Sequence, residues 1–277
     1  MDARLCQQCH WDKFQSYLES AHGRSGDAPS PAAQAQCESC HGTAERHVQG
    51  GGGRGVGALL TFAKQTPVAQ RNAPCLTCHE RGQVALWHGS AHDSRKVACT
   101  DCHAVHGGHA KLLAQPTEPQ LCTQCHLPVR GALLKSSHHP IREGKLACTS
   151  CHNPHGTATE KLVSAASVND KCYECHAETR GPFLFEHPPV RESCLNCHDP
   201  HGSSHEYLLV AKRPLLCQRC HQNAGHSSAL LARTAPDAAA GLTVYQLRAP
   251  ALVYRACNNC HVQIHGSNHP SGKFWHR

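Results

Sequence analysis

The chain contains 20 cysteines that fall into ten pairs spaced i, i+3, and a histidine follows every pair at once. The first five motifs are Cys6-Cys9-His10, Cys37-Cys40-His41, Cys75-Cys78-His79, Cys99-Cys102-His103 and Cys122-Cys125-His126. The second five are Cys148-Cys151-His152, Cys172-Cys175-His176, Cys194-Cys197-His198, Cys217-Cys220-His221 and Cys257-Cys260-His261. No thiol is left over for a disulfide or a separate metal site. C-x-x-C-H is the attachment signature of c-type haem. Two thiols one helical turn apart reach the two vinyl groups of one porphyrin, and the adjacent imidazole lies under the iron. A lone C-x-x-C would equally suit half a zinc site or a redox dithiol. Zinc, however, gives no reason for a histidine after every pair. Ten repetitions without exception predict ten covalently bound haems c.

The sixth iron ligand decides the chemistry. The chain has 26 histidines, and those outside the motifs are numerous enough to supply one to each iron. Ten of them recur at matching places. One set follows the odd-numbered attachment sites: His22, His92, His138, His187 and His226. The other follows the even-numbered sites: His47, His106, His155, His201 and His265. These predict bis-histidine, low-spin iron throughout, with His139 a direct rival to His138. His88, His109, His205, His269 and His276 are further alternates. Spacing does not reveal which iron each distal histidine serves, because a ligand can come from a neighbouring repeat. Met1 is the only methionine, so the His/Met ligation that raises haem potential is absent and the haems are expected to be of low potential. Iron filled on both faces has no position for substrate. No catalytic residue is therefore expected, and electron carriage is favoured over reduction of a bound molecule.

The elements that position these residues repeat as well. The motifs form five two-site repeats whose first cysteines are Cys6, Cys75, Cys122, Cys172 and Cys217. Repeats imply stacked modules. The glycine-rich run at 50–55 and the long interval between His221 and Cys257 depart from that plan. The best helical pattern is Trp11 to Ser20, with Phe14, Tyr17 and Leu18 on one face. A short helix around Leu230 and Leu231, or a strand within 242–254, is also conceivable. With 22 Gly, 17 Pro and 5% aromatic residues, regular structure should be sparse. The expected fold is a multihaem cytochrome c: mostly loops with short α-helices and little β, wrapped around an elongated row of ten haems that form the core. It reads as a single domain over 1–277, with pseudo-halves 1–140 and 141–277 carrying five haems each.

The formal charge of +7 omits the cofactors. Each ferric bis-His haem adds one positive charge at its centre and two negative propionates, so ten of them bring the total to roughly −3. Lysines and arginines then read as counter-charges, and nucleic acid is not an expected partner. No apolar run approaches the ~20 residues of a transmembrane helix. The opening Met1–Cys6 leaves no room for an export signal, so the sequence reads as a processed form with Met1 added. Covalent haem attachment of this kind places the protein outside the cytoplasmic membrane.

The stretches from Ser136 to Thr157 (SSHHPIREGKLACTSCHNPHGT) and from Lys171 to Ser204 resemble the MtrA/DmsE family of decahaem cytochromes, which includes the MtoA and PioA types. The count and order of sites extend this resemblance over the whole chain. It implies a periplasmic protein threaded into an outer-membrane β-barrel porin, exchanging electrons with periplasmic or inner-membrane cytochromes. On the outside, an extracellular cytochrome or soluble iron would be the partner. It also implies that either Fe(II) oxidation or respiration on metal oxides or sulfoxides is served. Separately, the small protein mass per haem suggests exposed terminal haems able to exchange electrons directly with Fe(II) or Fe(III). Even a compact globule of this length would be roughly 48 Å across, more than the ~40–45 Å of a bilayer with headgroups. A barrel would let a polar, loop-rich surface sit at membrane depth without facing lipid. A freely diffusing periplasmic shuttle and a terminal reductase with one open iron are the alternatives.

Overall fold

The structure is a computed structural model that describes residues 2–221 and 256–275. His226, His276 and the helix and strand suggested between 222 and 255 lie outside the described residues. The local rule is the same at every attachment site. In all ten C-x-x-C-H motifs the histidine N–H donates to the carbonyl of the first cysteine, at 2.9–3.1 Å. That bond closes one helical turn and brings both thiols to one side.

What surrounds the turn differs between odd and even sites. At odd sites the first cysteine sits at or near the C-terminal end of a short helix: Ala3–Gln7, Val68–Leu76, Glu118–Cys122, Val168–Tyr173 and Leu215–Gln218. Three of these have a side-chain N-cap, Asp2, Thr117 and Ser167, each accepting from an early helical N–H. At even sites the motif is itself the helical turn, either α (Glu38–His41, Cys99–Cys102) or 3-10 (Cys148–Ser150, Cys194–Asn196, Cys257–Asn259). The expected helix is present as Trp11–Glu19, with Tyr17 buried but Leu18 exposed. The one sheet among the described residues pairs Phe185–Glu186 antiparallel with Gly266–Ser267.

The chain divides into two compact units. One comprises 1–127 and 147–164, with the first six attachment sites; the other comprises 128–146 and 165–277, with the last four. Neither holds a conventional core. The buried apolar residues among those described are Ala3, Tyr17, Ala44, Trp87, Ala98, Ala132, Leu133 and Leu209, and none of the large side chains among them is fully buried. That is far too little apolar burial to offset chain entropy. No helix among the described residues is long and apolar enough to cross a membrane.

Two glycines show how tightly the loops lock. Gly156 and Gly202, each directly after a second-set histidine, have φ of 131° and 150°. A Cβ on Gly156 would press on the Leu86 carbonyl, and one on Gly202 on the Ala132 carbonyl. Gly202→Ala is expected to cost about 1–3 kcal/mol in thermal or denaturant unfolding of the haem-loaded protein. Gly131→Ala, where an added Cβ meets nothing within 4 Å, should stay within about 0.5 kcal/mol of the parent.

Candidate functional site

The attachment loops line up in sequence order within each unit, with thiols of successive sites in alternate pairings: the first cysteines hydrogen-bond, and the second cysteines lie within electrostatic range of one another. In the first unit the first cysteines of sites one and two bond (Cys6, Cys37), then the second cysteines of sites two and three (Cys40, Cys78) come within electrostatic range. The alternation continues through Cys75–Cys99, Cys102–Cys125 and Cys122–Cys148. In the second unit it runs Cys172–Cys194, Cys197–Cys220 and Cys217–Cys257. Side chains on the odd-site helices hold the even-site loops. Cys99 N–H donates to Asn72 Oδ1 at 2.9 Å and Cys194 N–H to Asn169 Oδ1 at 2.8 Å. Glu118 accepts from Thr149 N–H and Oγ1 at 2.9 and 2.8 Å, and from Lys111 Nζ at 3.3 Å. Those contacts hold the Glu118 carboxyl below its usual range despite partial burial.

The histidines outside the motifs face those inside them. Ring centroids lie 6.4 Å apart for His10–His47, 6.3 Å for His41–His106, 6.0 Å for His79–His22, 6.0 Å for His103–His155 and 6.1 Å for His126–His92. In the second unit they lie 6.4 Å apart for His176–His139, 6.3 Å for His198–His265 and 6.1 Å for His221–His187. An imidazole bound through nitrogen puts its centroid about 3 Å from a metal, so a gap of about 6 Å suits one iron between two rings. The sets cross between repeats in opposite directions. First-set His22, His92, His139 and His187 face the odd site of the next repeat. Second-set His106, His155 and His265 face the even site of the previous repeat, and His47 turns back to the first site of its own.

One placement differs from the sequence expectation. His139, not His138, faces His176. His138 turns instead to the Glu143 carboxylate at 3.1 Å and the Lys135 carbonyl at 2.8 Å, and the carboxylate raises its pKa. The sequence Ser136-Ser137-His138-His139 could not separate these two. His201 is half-buried, with Nδ1 4.0 Å from Asp199 Oδ1. His88, His109, His205 and His269 face no motif histidine among the described residues.

Backbone carbonyls set the ring orientations. At even sites Nδ1 of His41, His103, His152, His198 and His261 contacts the carbonyls of Leu60, Lys111, Lys161, Tyr207 and Phe274, at 3.0, 3.3, 2.9, 2.7 and 2.6 Å. At odd sites the facing histidine has the anchor: His47 to Val56, His92 to Pro154, His139 to Pro200 and His187 to Ile264, at 3.1, 2.7, 2.8 and 3.1 Å. A carbonyl on Nδ1 fixes the tautomer that leaves Nε2 free to ligate. Burial lowers the pKa of His22, His106, His155 and His187, favouring the neutral form a metal requires.

Sequence reasoning missed these carbonyl acceptors, although a signal was present. Ala110-Lys-Leu-Leu113, Glu160-Lys-Leu-Val163 and Glu206-Tyr-Leu-Leu209 repeat after three even sites. Each places two consecutive non-glycine residues at φ of 54–59°. Aromatic residues were missed too: Trp275 lies 4.7 Å from His187, Phe62 5.4 Å from His41 and Trp87 6.4 Å from His155.

The site also fits haem through groups that the protein leaves unsatisfied. Tyr17 Oη and Trp87 Nε1 are buried without a partner. The Tyr17 hydroxyl, pushed up to about 12 by burial and then by Cys37 and Cys40, is a donor suited to a carboxylate-bearing group attached there. Known proteins point the same way. Residues 37–120 match the family described as cytochrome c-type protein NrfB-like, and residues 138–181 and 187–226 match the doubled CXXCH motif. The chain is 40% identical over 280 residues to the multihaem cytochrome MtrA of Shewanella baltica (strain OS185), covering 99% of this chain and 81% of that one. Paired attachment motifs, a loop-dominated fold and this identity along the whole chain establish a multihaem electron-transfer cytochrome c that belongs to the MtrA family.

Proposed function

We propose that the protein holds ten haems c, each between two histidines, and conducts electrons across the outer membrane from within a porin partner. The observation that supports this is the set of eight facing histidine pairs on attachment loops strung in sequence order within each unit. When bound, haem c supplies reversible one-electron Fe(III)/Fe(II) chemistry. The residues do the rest. The twenty cysteines fix the groups covalently, and the motif histidines hold one face of each. His47, His106, His22, His155, His92, His139, His265 and His187 hold the opposite faces of sites one, two, three, four, five, seven, eight and nine. His201 and His226 keep their roles as distal ligands, and His139 replaces His138. With both faces taken, no site is left for substrate. This favours a conductor over a reductase.

Location in the periplasm and outer membrane, and a β-barrel porin as partner, follow from the family resemblance. Periplasmic or inner-membrane cytochromes would meet one end, and an extracellular cytochrome or soluble iron the other. Fe(II) oxidation and metal-oxide or sulfoxide respiration use the same row in opposite directions, driven by the partners' potentials.

His139→Ala should convert one ferric site per protein to high-spin and open it to carbon monoxide after reduction, read by EPR and absorbance. His138→Ala should leave both spectra unchanged. The conduit itself is tested in vesicles carrying the protein with its porin. Reductant outside should reduce a redox dye sealed inside only when both proteins are present. Reduction in porin-only vesicles at the same rate, or none with both, would contradict the proposal.

A further inference from the structure

The Nδ1 anchors define a rule with one exception. Among the described residues, nine of the ten sites have at least one motif or facing histidine whose Nδ1 contacts a backbone carbonyl. Site two has two, His41 to Leu60 and His106 to Lys13, each at 3.0 Å. Site three, His79 with His22, has none among the described residues. His22 Nδ1 is buried with no hydrogen-bond partner among the described residues, and His79 is exposed. Repetition shows that this is a local loss. First-set His92 and His187 bond the residue directly before a second-set histidine, Pro154 before His155 and Ile264 before His265. The equivalent carbonyl for His22 is that of Val105, before His106, and no such bond forms. His106 is instead anchored to Lys13.

A fixed carbonyl on Nδ1–H draws the proton outward and makes the imidazole a stronger donor to iron. Stronger donation favours Fe(III) and lowers the potential. The ring planes act in the same direction: the site-three rings are crossed at 83°, whereas those at site two lie within 22° of parallel. Resting on the bis-histidine reading above, we infer that site three has the highest potential in the row and is the first site to be reduced. Site two, whose helix Glu38–His41 packs on the site-three helix Val68–Leu76, is of low potential. An electron in the first unit therefore rests at site three and must climb to pass site two. His22 is thus the ligand whose unanchored ring sets this step.

The test is stepwise reduction of the oxidised, haem-loaded protein with dithionite, each step frozen for EPR. One electron converts one Fe(III) to Fe(II), with no proton moved at the ligands. His22→Met identifies the site-three signal by its absence from the ferric spectrum, and does so even if that site matures without haem. Crossed rings should make it one of the most anisotropic low-spin signals. The inference expects this signal to lose more than half its intensity within the first electron equivalent per protein. Survival of the signal while others bleach would overturn the inference and leave the bis-histidine reading intact. A His22→Met spectrum that retains every parent signal would overturn the pairing of His22 with His79, and the inference with it.

Discussion

Two imidazoles from different parts of the chain must face one another across a gap of about 6 Å, and they must do so at site after site. The spacing of the facing pairs, 6.0–6.4 Å at all eight seen among the described residues, is held constant in a molecule with little regular structure. It explains why helices are short. A helix is needed only to close one C-x-x-C-H turn, after which the chain must leave to deliver a histidine elsewhere. It also explains why first-set and second-set histidines cross in opposite directions. A repeat that supplied all its own ligands would have no reason to stay beside the next. The exchange of facing histidines makes each repeat incomplete alone, as in other repeat folds where neighbours complete one another.

Orientation is enforced by backbone carbonyls, and the backbone is strained to present them. Lys111-Leu112, Lys161-Leu162 and Tyr207-Leu208 adopt left-handed conformations in succession, which costs about 1–2 kcal/mol per residue. In each case the first residue's carbonyl receives the imidazole Nδ1. Asn72, Asn169 and Glu118 then fix the even-site loops against the odd-site helices. With so few buried apolar side chains, these polar anchors act around groups that must themselves supply most of the apolar mass.

The ten C-x-x-C-H turns were legible in the sequence because the motif is contiguous, and each closes the same helical turn in the structure. Repetition exposed the second-set histidines as well. The crossing was not legible, since it depends on which loops lie side by side, and spacing records only distance along the chain. His138 and His139 could not be separated because adjacent residues share the same spacing; Glu143, five residues on, is the neighbour that draws one of them away. The Lys-Leu-Leu type repeats were visible as letters, but their left-handed conformation was not, because neither Lys nor Leu favours it. The helix at Trp11–Glu19 was legible from its period, whereas Leu18, read as part of its apolar face, is exposed in the protein chain.

The central claim is that covalent haem takes the place of a side-chain core. Amide hydrogen exchange on the chain produced without haem attachment tests it most directly, set beside the haem-loaded protein. The account predicts strong protection across the attachment loops when haem is present. Without haem it predicts exchange at nearly unprotected rates and no cooperative unfolding transition. A haem-free chain that keeps a protected set of amides and melts cooperatively would contradict it.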